Sequence, residues 1–336
     1  MKILVTGSAG FIGFHLVKAL LNNGHYVFGI DNLNDYYDVN LKISRLNHIS
    51  DFVLNSTIKL NYKFLKLDIS STDKIQALFS QERFDVVINL AAQAGVRYSV
   101  NNPHSYVNSN IVGFLNILEG CRHTKVKHLL FASSSSVYGL STSQPFKTTD
   151  NVDFPINLYA ATKKSNELMA HAYSHLYEIP CTGLRFFTVY GPWGRPDMAV
   201  FKFVKAIFEN KSIDLYNNAI MKRDFTYIDD IIDGICNVIP IVPQSQKLVI
   251  TNSQAPYKIF NIGNNRPEKL QTLLREIEAA CGKNAKINLL DMQPGDVHET
   301  FADIDALFIE TGFKPSTNLG TGIKNFVKWY RDFYNI

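Results

Sequence analysis

The chain has 336 residues, 46% of them hydrophobic, enough for one large core or two smaller ones. Its 34 basic and 30 acidic side chains nearly cancel, to a net +4, which argues against a nucleic-acid or membrane-surface partner. No apolar stretch reaches the roughly 18 residues of a bilayer span, and no leader precedes the first strand, so a cytoplasmic protein is expected. Cys121, Cys181, Cys236 and Cys281 lie far apart in apolar stretches with no CxxC pair. They read as buried thiols in a reducing compartment, and no metal site is expected.

The first thirty residues carry a plan. Lys2–Thr6 (KILVT) is apolar without alternation, which predicts a strand buried on both faces. Gly7, Gly10 and Gly13 follow at a spacing of three. Phe14–Leu21 has helical periodicity, and Asn22, Asn23 and Gly24 stop it. A second strand, His25–Ile30, ends at Asp31. The first glycine permits a tight turn, the second lets backbone approach a pyrophosphate, and the third lets helix pack on strand. The helix N-terminus then aims free N–H groups at phosphate. Asp31 stands 18 residues after Gly13, where a carboxylate binds both ribose hydroxyls and repels a 2′-phosphate. NAD is therefore expected as cofactor, rather than NADP.

This GxxGxxG turn resembles the extended short-chain dehydrogenase/reductase superfamily. The resemblance implies an α/β fold, a Rossmann-like doubly wound parallel sheet with a smaller C-terminal substrate-binding domain. It implies cofactor contacts from Gly7, Gly10, Phe11, Ile12, Gly13, Asp31 and Asn32. Phe64–Ile69 (FLKLDI) reads as a third strand whose Asp68 and Ile69 meet the adenine, and Asp85–Ala92 (DVVINLAA) as a fourth, with Leu90, Ala91 and Ala92 beside the cofactor. For Asp68 a helix cap is an equal alternative.

At 131–139 the sequence reads FASSSSVYG: a strand, HLLF, runs into four serines. Downstream, Tyr159 and Lys163 are four apart in LYAATKKSNEL, on one face of a predicted helix. An ammonium beside a buried tyrosine lowers its pKa, so that it can take a proton from a substrate hydroxyl. Lys163 can also hold the nicotinamide ribose. In the superfamily the hydroxyl three residues before VYG completes the catalytic set. Here that is Ser134, with Ser133 as a cofactor-side neighbour.

Related dehydratases carry Asp-Glu just before VYG, and related decarboxylases carry a Glu there. This chain has Ser135 and Ser136, which cannot serve as proton-transfer acids near neutral pH. With Thr188 and the WGRPDM loop at 193–198, and with AAQAGVRYS (91–99), MKRDFTYIDDI (221–231) and MQPGDV (292–297), the chain resembles the UDP-glucuronate 4-epimerases over nearly its whole length. The resemblance implies that NAD is reduced and reoxidised in each turnover through a 4-keto sugar. That intermediate is a β-keto acid prone to lose CO2. Neutral hydroxyls of Ser134, Ser135, Ser136 and Thr188 would clamp its carboxylate. Arg195 is implied for charge compensation or closure, against a plain loop salt bridge. Arg223 and Asp296 are implied for the UDP diphosphate and ribose, and Tyr216 for uracil. Gln293 departs from the Arg of galactose-type epimerases. Arg97 reaches substrate or solvent with equal weight.

The organisation expected is a NAD-binding domain over 1–185 with returning segments near 225–262, and a mainly substrate-binding domain over 186–336. Residues 225–239 are predicted as a joining helix and 250–264 as a returning strand. Helices near 104–122 and 159–177 carry surplus apolar residues, which in similar enzymes form a four-helix bundle, so a homodimer is expected. Three rivals stay open: an epimerase for neutral UDP-hexoses, a sugar-nucleotide reductase or dehydratase, and a non-catalytic NAD-binding regulator.

Overall fold

The computed structural model describes residues 1–57, 61–245, 254–292 and 297–336. The chain divides into two compact units. The first comprises Met1–Gly139, Asn151–Arg185 and Ile235–Phe260, and the second Leu140–Asp150, Phe186–Gly234 and Asn261–Ile336.

Along the chain the first unit runs β1 (Lys2–Thr6), α1 (Phe11–Asn22), β2 (Tyr26–Asp31), α2 (Val39–Leu54), β3 (Asn61–Lys66), α3 (Thr72–Glu82) and β4 (Val86–Asn89). It continues with the short helices α4 (Tyr98–Asn101) and α5 (Pro103–Tyr106), a π-helical segment Val107–Val112, α6 (Gly113–Thr124), β5 (His128–Ser134) and α7 (Leu158–Tyr177). Then come β6 (Cys181–Phe186), β7 (Thr188–Tyr190), α8 (Ala199–Phe208), β8 (Ser212–Tyr216), β9 (Lys222–Tyr227) and α9 (Ile228–Val238). Last are β10 (Tyr257–Ile262), β11 (Pro267–Lys269), α10 (Leu270–Cys281), β12 (Lys286–Leu290), α11 (Asp305–Thr311) and α12 (Leu319–Tyr334).

The strands of the first unit form a seven-stranded sheet in the order β10-β6-β5-β4-β1-β2-β3. β1 pairs in parallel with β2 and β4, β2 with β3, and β4 with β5. The order reverses between β1 and β4, the switch point at which open α/β sheets bind ligands. β1 and β4 are buried along nearly their whole length, which is why their sequences do not alternate. In α1, Leu16, Val17, Leu20 and Leu21 are fully buried. Each such side chain contributes about 1.5–3 kcal/mol. That total outweighs the roughly 1 kcal/mol of a missing N-cap, so the N-terminus of α1 can stand without a side-chain cap.

In the second unit β9 lies between β11, antiparallel to it, and β7, parallel to it. A separate parallel pair joins β8 and β12. An aromatic cluster closes α12 on α8: Phe201 meets Phe326 and Tyr330 edge-on at 5.9 and 5.3 Å. Asp224, fully buried in β9, accepts N–H bonds from Asn264 at 2.6 Å and Ala302 at 3.1 Å and so ties three segments together.

Several expected boundaries move. The third strand is Asn61–Lys66 rather than 64–69, because Leu67 closes the ladder on the Asp31 carbonyl and Asp68 begins a turn. It is the sheet's outer strand, largely exposed, so its inward residues are too few to mark its ends. The fourth strand stops at Asn89, before Leu90–Ala92. The strand HLLF continues through Ser134. Residues 225–227 belong to β9, so the joining helix begins only at Ile228. The returning strand occupies Tyr257–Ile262, and 250–253 lie outside the described residues.

Candidate active site

The glycine turn is built by contact. Gly7 has φ +69°, and a Cβ there would lie 2.9 Å from the Ala91 nitrogen. A Cβ on Gly13 would lie 2.1 Å from the Gly7 carbonyl oxygen, so α1 packs on the turn with no room for a side chain. Gly10 N–H donates to Gly7 O at 2.9 Å. Thr6 fastens the other wall: its hydroxyl donates to Asn89 Oδ1 at 2.7 Å and accepts from Ala91 N–H at 3.0 Å. Leu90, Ala91 and Ala92 are half-buried, Phe11 is buried and Ile12 half-buried. The bare backbone and uncapped helix suit a pyrophosphate.

Asp31 is buried at the end of β2. Its carboxylate accepts from Ala9 N–H at 3.3 Å and Leu33 N–H at 2.8 Å, with Lys42 Nζ 3.8 Å away. Burial lowers the Lys42 ammonium, although Asp31 opposes this. Asn32 donates to Asp68 at 2.8 Å and so links the ends of β2 and β3. Burial alone would raise the Asp68 carboxyl, but bonds from Asn32 and Ser70 outweigh it and hold the group low. Ile69 is buried against α6, where a Cβ on Gly113 would come within 2.6 Å of it. A carboxylate at the end of β2 and a bare glycine turn at the switch point fit a dinucleotide with a free ribose 2′-hydroxyl.

α7 starts where Asn157 caps it, its side chain accepting from Ala160 N–H at 2.8 Å. Tyr159, Lys163 and Glu167 then recur every four residues on one face. Tyr159 is half-buried, its ring edge-on to Tyr106 at 6.1 Å. Lys163 is buried, and its Nζ donates to Ala132 O of β5 at 2.8 Å and lies 6.0 Å from the Tyr159 ring centroid. Desolvation brings its pKa down to about 8, so near neutral pH it is still largely a cation.

The four serines do different things. Ser133 is buried, and its Oγ donates to Glu167 Oε1 of α7 at 2.6 Å. Ser134 Oγ accepts from Ser136 N–H at 3.2 Å and caps the 3-10 turn Ser135–Tyr138. Ser135 and Ser136 are half-buried on that turn.

In the second unit Thr188 is half-buried at the start of β7, and Tyr216 half-buried at the end of β8. Arg195 forms a two-pronged ion pair with Asp197, at 2.9 and 2.5 Å, the loop salt bridge that stood as its structural alternative. Arg223 on β9 donates to the carbonyls of Lys222 and His298 at 2.9 and 3.1 Å. Arg97 is exposed ahead of α4. Asp296 and Gln293 lie outside the described residues.

Sequence reasoning passed over Glu167 and Arg185. Arg185 Nε and NH2 bind the two Glu167 oxygens at 2.8 and 2.9 Å, and its NH1 donates to Tyr138 OH at 3.0 Å. Both side chains are about 95% buried. Burial opposes the Arg185 cation, but Glu167 more than offsets this and raises its pKa. Two signals were present: Glu167 sits one turn beyond Lys163, and Arg185 is the lone charge in the apolar run CTGLRFF.

A doubly wound sheet with a bare glycine turn, an acid at the end of β2 and a Tyr-Lys pair on α7 defines a dinucleotide-dependent enzyme. The sequence profile of the NAD dependent epimerase/dehydratase family matches residues 3–263, and the chain belongs to that family. Protein CapI of Staphylococcus aureus is 54% identical over 340 residues, 99% of each chain. A probable UDP-glucuronate 4-epimerase of Rhizobium meliloti (strain 1021) is 46% identical over 99% of this chain and 98% of that one. The crystal structure of a UDP-glucuronic acid 4-epimerase from Bacillus cereus, in complex with UDP-glucuronic acid and NAD, superposes with a TM-score of 0.87. It is 34% identical over 99% of this chain and 100% of that chain.

Proposed function

We propose that the chain is a UDP-glucuronate 4-epimerase, interconverting UDP-glucuronate and UDP-galacturonate. One observation carries the chemistry: the bond from Lys163 Nζ to Ala132 O sets the Tyr159–Lys163 row of α7 against the end of β5, where the serines stand. NAD, when bound, takes the C4 hydrogen as hydride and returns it on the opposite face. Tyr159 removes the O4 proton, and the Lys163 cation favours its phenolate. Ser134 donates to O4. Ser135 and Ser136 hold the C5 carboxylate as neutral donors, and neither is an acid fit for dehydration.

For the rest of the substrate we propose Thr188 and Arg195 at the carboxylate, Arg223 and Asp296 at the diphosphate and ribose, Tyr216 at uracil, and Arg97 at the sugar. Arg195 would first have to exchange its Asp197 partner. We assign NAD to 1–185 with the returns near 225–262, and UDP-sugar mainly to 186–336.

The test is a product assay followed by NMR with no added reductant. UDP-glucuronate should give UDP-galacturonate with little CO2, and UDP-glucose should turn over far more slowly. Preferential turnover of UDP-glucose would leave a neutral-hexose epimerase and remove the role given to Ser135 and Ser136.

A further inference from the structure

The segment Ser134–Val137 is held at both ends by one buried ion pair. At its start Ser133 Oγ donates to the Glu167 carboxylate at 2.6 Å. At its end the Tyr138 hydroxyl accepts from Arg185 NH1 at 3.0 Å, with the guanidinium 4.9 Å from the Tyr138 ring centre. The pair itself is closed by two parallel bonds, and Tyr257 OH donates to the Glu167 carbonyl at 3.0 Å. A bidentate arginine–carboxylate pair has a fixed plane and fixed direction, so it transmits position, not only charge. Burying two charges is seldom the cheapest way to stabilise a core. What this pair adds over apolar packing is the placement of the two hydroxyl-bearing residues that bracket the serines.

We infer that Glu167 and Arg185 are positioning residues which fix Ser134, Ser135 and Ser136 and thereby suppress decarboxylation of the oxidised substrate. The inference rests on the proposed epimerase function. Oxidation at C4 leaves the carboxylate β to a ketone. Loss of CO2 breaks the C5–C6 bond, and its electron pair enters the C4 carbonyl as an enolate. The enolate takes a proton from water at C5, leaving a 4-keto pentose. The rate of this leak depends on how far the carboxylate can rotate toward alignment with the carbonyl. Rigid serines limit that rotation, and serines on a loosened turn do not.

The discriminating quantity is the partition ratio, decarboxylated sugar nucleotide formed per UDP-galacturonate formed. A variant that merely folds less well lowers both products together and leaves the ratio unmoved. Tyr138→Phe and Ser133→Ala each delete one hydroxyl at one end of the segment. Each should raise the ratio about fivefold, the effect of one ordinary hydrogen bond, and Ser133→Thr should return it toward the wild-type value. An unchanged ratio in both deletion variants, with epimerisation still measurable, would sink the inference and leave the epimerase function standing. No conversion of UDP-glucuronate by the unaltered protein would overturn the function itself, and the positioning role with it.

Discussion

His128 begins β5 with its ring fully buried, Nδ1 at 3.0 Å from Ile239 O and Nε2 at 2.8 Å from Thr182 Oγ1. Burial drives its pKa down to about 4. The unfolded chain takes up this proton near pH 6.5 and the folded chain only near pH 4, so stability is lost as pH falls through that window. The full loss is roughly 3 kcal/mol. Urea midpoints should therefore decline between pH 7 and 4.5, and His128→Asn should flatten that decline. Tyr159, Lys163, Asp31 and the glycines were legible in the sequence because each stands at a spacing that its chemistry requires. Glu167 and Arg185 were less so, since their partnership spans β6 and α7 and only folding brings it about. The four serines show the limit most clearly. Their side-by-side run carries no sign that Ser133 bonds Glu167 or that Ser134 caps a turn.

At the level of elements, the turn between β1 and α1 holds the glycine with the least room for a Cβ among the described residues. Gly13 has no room for even one carbon beside the Gly7 carbonyl. Gly13→Ala should displace α1 from the turn, cost about 1–3 kcal/mol, and weaken NAD binding. Thermal melts and an NAD titration would measure both, and an unaltered NAD affinity would count against the turn as the pyrophosphate site. β1 stood where the sequence put it, and β2 and α7 within one residue, because their burial is one-sided or complete over their full length. β3 and the start of α9 did not. The first is an outer strand with four of its six residues exposed. The second follows β9 with no break in apolar sequence, so only the hydrogen-bond ladder with β7 and β11 marks where strand gives way to helix.

For the whole molecule we propose a homodimer through the helices that the sequence nominated. Val107 and Leu115, in the π-helical segment and α6, are 41% and 39% exposed, and Leu168 and Leu176 on α7 are 58% and 65% exposed. Isolated exposed leucines need no explanation, but these recur on two long elements that contact each other. Leu168→Glu with Leu176→Glu should convert a dimer to a monomer in light scattering after size exclusion, while the single chain keeps its fold. Elution of the unaltered protein as a monomer would dismiss the bundle. Among the described residues no helix is long and apolar enough to cross a membrane.

The outer position of β10 in the seven-stranded sheet bears on how the protein is made. The chain leaves the first unit, enters the second and comes back, and the strand that completes the sheet next to β6 begins only at residue 257 of 336. A ribosome that has released the glycine turn, the serines and the Tyr-Lys pair has still not released the sheet's last strand. Until then β6 presents an open edge, with unpaired backbone groups able to recruit another nascent chain. The interval between synthesis of β6 and of β10 is thus a stage at which the β6 edge is open to aggregation. Slowing translation within 187–256 would lengthen it.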